Sequence, residues 1–246
     1  MNGVSTRLGR WRKAYRNARK KPDVWVLDKQ KVAFIQIRKV ASRSARFAFT
    51  SFLMNAGGQS REPTKDDIER TDRQYARHIT TAKIARLRDS YYVFTIVRNP
   101  LARLHSCYAN KFTGHRERGL PNPFTEWGMR DDMSFAEFVQ QVALIPDSQS
   151  NTHFRSMHPF LTHRGQLLPH TICKLEQLET DWQVVRQHIP GFPDLPRINQ
   201  TNFSDRPAYL AAYDRELAEL AYSRYQQDIE LLGYKDELQR MIASLA

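Results

Sequence analysis

The stretch AFIQIRKVASRSARFAF, residues 33–49, runs from alternating apolar residues into a cationic turn and out again into small and apolar ones. Alternation and β-forming residues over 31–37 predict a buried strand. The run 44–54 predicts a helix, which Gly57-Gly58 terminates. Between them fall Arg38, Lys39, Ala41, Ser42, Arg43 and Ser44. A cationic turn feeding a helix start suits an anion, because free backbone N–H groups and the positive end of the helix dipole face it while Lys39 and the Ser42 and Ser44 hydroxyls supply further donors. The turn is not GxxxxGK[ST], which speaks against an ordinary nucleotide kinase.

The same arrangement recurs downstream. YYVFTIV (91–97) reads as a second buried strand and ends in Arg98, Asn99 and Pro100, after which Leu101, Leu104, Tyr108 and Phe112 mark the apolar face of a helix carrying Ser106. A short third strand is predicted at 170–175, and helices at 134–144 and 178–189, the first with Ser134 and Glu137 as a capping box. The polar segment 59–75 reads as a loop, 78–90 as a short helix, and the tail from Tyr209 to about Leu232 as helical. Strands separated by helices imply an α/β fold with a parallel sheet, which binds ligands at the carboxyl ends of its strands.

Composition bounds the partners. The chain has 246 residues, 41% hydrophobic and 26% charged, which describes a folded protein large enough for a substantial core. Its formal charge of +12 favours anionic partners: nucleic acid, phosphorylated cofactors, acidic glycans or a membrane surface. Eight of those excess cations lie in residues 1–21, where Leu8, Trp11, Tyr15 and Ala18 give a narrow apolar stripe. Residues 1–22 are therefore expected as a basic helix, serving either to pack on the domain or to contact anionic lipid or polysaccharide, and 23–246 as a single domain. Two cysteines, Cys107 and Cys173, lack CxxC spacing, and no apolar run reaches membrane-spanning length. Together these predict a cytoplasmic protein, with peripheral contact at the inner membrane surface through the basic helix.

Two motifs carry a family resemblance. IQIRKVASRS (35–44) is similar to the loop that holds the 5′-phosphosulfate in sulfotransferases using 3′-phosphoadenosine 5′-phosphosulfate (PAPS), and VRNPLARLHSCYANKF (97–112) to the element holding the 3′-phosphate. The branch resembled contains the Golgi carbohydrate sulfotransferases and their bacterial relatives. NTHFRSMHPFL, CKLEQLETDW and YSRYQQDIELLGY extend the resemblance across about residues 31–234. It departs from the family in that Arg38 stands where proline is general and Arg43 where a hydroxyl residue is common.

The resemblance implies a P-loop-NTPase-like three-layer fold, a central parallel sheet flanked by helices, and transfer of a sulfuryl group from PAPS to a hydroxyl of a carbohydrate or glycoconjugate. It assigns donor binding to Arg38, Lys39, Ala41, Ser42, Arg43, Ser44, Arg98 and Ser106, with Lys39 also stabilising the bridging oxygen. His78, twenty residues before Arg98, stands similarly to the base of the heparan sulfate 2-O-sulfotransferases. His153 is the alternative base; His153, His158 and His163 do not share a helix face and predict no metal site. Against this stand a P-loop-type phosphotransferase, which lacks its glycine-rich loop here, and a nucleic-acid-binding protein, which needs a basic stripe rather than single cations at strand ends.

Overall fold

The strand predicted at 31–37 forms, and a strand that sequence reasoning did not identify pairs with it. In the computed structural model, which describes residues 21–196 and 209–245, β1 (Asp23–Leu27) and β2 (Val32–Gln36) make an antiparallel hairpin. Along the chain follow α1 (Ser42–Ala56), α2 (Lys65–Tyr75), β3 (Ala76–His78), α3 (Thr81–Arg88), β4 (Tyr92–Val97) and α4 (Pro100–Tyr108). Then come α5 (Phe135–Leu144), β5 (Thr171–Lys174), α6 (Leu178–His188), α7 (Arg215–Arg224), α8 (Gln226–Leu231) and α9 (Lys235–Ala243). A two-residue ladder joins Thr162–His163 to Gln166–Leu167, with Gly165 at the turn. The predicted basic helix over 1–22 lies outside the described residues but for its last two.

The described residues form two compact units. One, residues 21–98 and 159–196, holds the sheet; the other, residues 99–158 and 209–245, is helical.

The sheet has the order β3-β1-β2-β4-β5, with β2, β4 and β5 mutually parallel and β1 antiparallel to both its neighbours. It is a mixed sheet with a parallel centre, flanked by helices in a P-loop-like α/β fold. Register places Trp25, Phe34 and Phe94 in one row, and Phe49 of α1 packs on them with ring centroids 5.4, 5.5 and 5.9 Å away. Trp182 of α6 meets Phe94 edge-on, and Phe192 closes the cluster against Phe49 at 5.0 Å. On the other face Val24, Ile35, Val93 and Thr95 are fully buried as well. Burial of both faces explains why the central strands read as nearly continuous apolar runs.

Two segments differ from expectation. Residues 65–75 form α2 rather than a loop: the helix has no apolar stripe, but the Thr64 hydroxyl accepts from Asp67 N and the Asp67 carboxylate accepts from Thr64 N in a reciprocal capping box. Helix does not begin at His78 either. Residues 76–78 pair with β1 as an edge strand, and α3 starts at Thr81 under a Thr80 cap. At the end of α1, Gly58 adopts φ 79° while Gly58 N and Gln59 N donate to Asn55 O and Met54 O, the paired bonds of a Schellman stop.

In the helical unit, α4 passes into a π-turn at Ala109–Thr113. Its Arg103 is 2% exposed and donates to the carbonyls of Arg155 (2.8 Å) and Thr152 (3.0 Å), while Tyr213 Oη–H reaches Leu101 O at 3.0 Å. The expected capping box at Ser134 and Glu137 is present on α5. The helical tail expected from Tyr209 to about Leu232 divides into α7 and α8, and α9 follows beyond it, after Gly233 at φ 67°.

Candidate active site

The cationic turn stands at the carboxyl end of β2, where the buried strand gives way to α1. Ile37 and Val40 are 2% and 0% exposed, so the turn is pinned from within by apolar contacts. Two of its residues that are not glycine adopt left-handed backbone, Lys39 at φ 71° and Ala41 at φ 61°. Such residues cost about 1–3 kcal/mol each and persist where surrounding structure forces them, commonly at ligand clamps. Ala41 is also the N-cap of α1 and has no side-chain oxygen to offer, nor is there an acidic residue in the first turn. Among the described residues, therefore, no N-cap side chain caps the first N–H groups of α1. In α4, by contrast, Asn99 Oδ1 accepts from Leu101 N and Ala102 N, and Pro100 occupies the first helical position.

Around that helix start the side chains suit an anion. Arg43 is exposed; Ser42 is half-buried, Ser44 5% exposed, and neither hydroxyl has a hydrogen-bond partner among the described residues. Arg46 is committed elsewhere, donating to Asp72 Oδ2 at 2.7 Å, while Trp25 Nε1 donates to Asp72 Oδ1 at 3.0 Å. Arg98 follows β4, which runs parallel to β2 beside it, so Arg38, Lys39 and Arg98 share the carboxyl end of the sheet. Ser106 lies half-buried on α4, in the helical unit.

His78 occupies the same end of the sheet at the far edge. Across the ladder it stands opposite Asp23, and Asp23 opposite Gln36, so two strand spacings of roughly 5 Å each lie between His78 and the strand that leads into the turn. The ring is exposed and makes no hydrogen bond among the described residues. Its accessibility suits a group that must meet an incoming hydroxyl.

Sequence reasoning passed over Asp23. Its Oδ2 accepts from Gln36 Nε2 at 3.2 Å and from Arg38 Nη2 at 3.3 Å. Burial raises its carboxyl above the ordinary range, with Arg38 and His78 pulling the other way. Gln36 is 7% exposed and its Oε1 has no partner among the described residues; a buried acceptor left so costs about 1–3 kcal/mol. The available signal was the β-rich run DVWVL followed by the turn DKQK, which reads as the first half of a hairpin.

His153, His158 and His163 do not form one group. His153 Nδ1 lies 2.8 Å from Asn151 Oδ1, and His158 Nδ1 2.9 Å from Asp228 Oδ1, a carboxylate that also accepts from Met157 N and His158 N. His163, in the sheet unit, lies 3.3 Å from Thr81 Oγ1. No cluster of three metal-ligating side chains occurs among the described residues.

Residues 22–235 match the model of the sulfotransferase family. The chain belongs to that family. It is accordingly an enzyme of sulfuryl transfer. A curated relative, carbohydrate sulfotransferase 10 of Xenopus laevis, is 21% identical over 248 residues, covering 87% of this chain and 67% of its own. No solved structure matches. The expected cytoplasmic placement is overturned by this match to a carbohydrate sulfotransferase. The cysteine argument behind that expectation fails on physical grounds too. Cys107 and Cys173 are both fully buried, and burial pushes the Cys173 thiol up to about 12, so these thiols serve packing and do not report on a compartment. Among the described residues no helix is long and apolar enough to cross a membrane.

Proposed function

We propose that this sulfotransferase takes the sulfuryl group from PAPS and delivers it to a hydroxyl of a carbohydrate or glycoconjugate. The observation that carries the donor reading is the turn itself: an uncapped helix start behind a strained, cationic loop at a strand's carboxyl end. It fits a phosphosulfate in charge and in donor supply. The donor brings an activated sulfuryl group whose leaving group is a phosphate. Within the chain, the turn from Arg38 to Ser44 holds the 5′ end through the N–H groups of α1, the Ser42 and Ser44 hydroxyls and the Arg43 charge, with Ala41 leaving the helix start open.

Lys39 neutralises charge at the bridging oxygen as the bond breaks, the kind of preorganised electrostatic stabilisation that works without reorganisation. Arg98 and Ser106 hold the 3′-phosphate, as the family resemblance assigns them. His78, whose ring is exposed at the sheet edge, takes the proton of the acceptor hydroxyl as general base. A glycan acceptor is supported by the name of the Xenopus laevis relative.

Incubation with ³⁵S-labelled PAPS and a panel of neutral and acidic glycans tests the reading. Label should appear in at least one glycan and should be strongly reduced with Lys39→Ala. Label transferred only to water, or only to small phenols, would contradict the acceptor assignment.

A further inference from the structure

Arg38 stands where proline is general in the family, which leaves the turn without the φ restriction that a proline ring imposes. The structure supplies a different restraint at that position. Asp23 sits on β1 directly opposite Gln36, and its Oδ2 receives both the Gln36 amide at 3.2 Å and the Arg38 guanidinium at 3.3 Å. Gln36 gives its donor to this carboxylate while its own buried oxygen goes unmatched among the described residues. A local network that leaves an acceptor unmade to orient one carboxylate is organised around that carboxylate.

We infer that Asp23 is a positioning residue for the donor site: fixed by Gln36, it holds Arg38, and through Arg38 the left-handed turn at Lys39, so that Arg38 acts as a strut rather than as a ligand of the phosphosulfate. The inference rests on the donor reading above and deepens it. The strut joins β1 to the residue immediately before the strained Lys39, where a rigid tether has most leverage on the turn. Burial supports the assignment, because a carboxyl that the fold raises above its ordinary range is charged at a cost to stability, a cost commonly carried at functional sites.

Calorimetry with adenosine 3′,5′-bisphosphate on the full chain tests it, using Asp23→Asn, Arg38→Met and the double variant. Each single substitution should weaken binding roughly three- to tenfold, and the double variant should be no weaker than the worse single, because both remove the same strut. If Asp23→Asn binds as well as or better than the wild type while Arg38→Met binds worse, Arg38 is a direct ligand and the inference is overturned. Losses that multiply in the double variant overturn it too.

Should Asp23→Asn not fold, the ratio of wild-type to Arg38→Met affinity, followed from neutral to acid pH, reads the same contact. The groups facing Asp23 are Arg38 from the turn, His78 from β3, Asp72 from α2 and Arg46 from α1. As Asp23 takes up a proton the strut is lost in the wild type alone, so the ratio should shrink toward one; a constant ratio overturns the inference. A wild-type chain that does not bind the bisphosphate overturns the donor reading and this inference with it, whereas wild-type binding with an unaffected Asp23→Asn variant overturns the inference alone.

Discussion

Lys39 and His78 are proposed for different steps, so their loss should leave different signatures. Lys39 lies in the strained turn at φ 71°, beside the uncapped start of α1. Removing its charge with Lys39→Ala should weaken donor binding and lower turnover together, since the same contact serves the ground state and strengthens as the bond breaks. His78 stands across β1 at the sheet edge, away from the turn. His78→Ala should lower single-turnover transfer by about two to four powers of ten while donor affinity holds nearly constant. Near-normal transfer by His78→Ala would move the base elsewhere, with the half-buried His153 the next candidate. The cations and hydroxyls of the turn were visible in the sequence, but such a turn before a helix is often only a solvated loop, and it was the second strand end at Arg98 that set it apart. Asp23 was not, because its importance comes from register: only the pairing of β1 with both β2 and β3 sets it opposite Gln36 and His78.

At the scale of elements, the strands and helices with apolar periodicity were readable and those held by polar contacts were not. β4, α4, α5 and α6 fall where their patterns predict. α2 is the instructive failure, since its sequence KDDIERTDRQY carries no core stripe and only the Thr64-x-x-Asp67 box marks its start. The Asp67 carboxylate, bonded by Arg61 and by Thr64 N, is held well below the ordinary carboxylate range. A depressed native value means that Asp67 stabilises the fold above the unfolded value and that this contribution is lost as pH falls toward the native one. Asp67→Asn should therefore lower the melting temperature at neutral pH, with the gap to the wild type narrowing below about pH 4. A gap unchanged in acid would show that the loss comes from packing instead of charge. His78 was expected at a helix start because the residues after it are helical; pairing with β1 claimed 76–78 for the sheet, a non-local contact that no local pattern announces.

For the whole molecule, the α/β class and the family were accessible from two strand-turn-helix units, since the sulfotransferase match over residues 22–235 takes in both. The antiparallel hairpin at one side of the sheet and the division into two units were not, because both depend on which segments pack together. The charge of +12 favoured anionic ligands without choosing one, and the geometry of the turn narrows the choice. Calorimetric titration of the wild-type chain with adenosine 3′,5′-bisphosphate in excess chelator, beside ATP and duplex DNA, tests the central claim most directly. The account predicts metal-independent binding of the bisphosphate that ATP and DNA do not match, weakened at least roughly tenfold by Arg98→Ala as a charge-assisted phosphate contact is lost. Absence of binding, or ATP binding as tightly and only with Mg²⁺, would contradict it.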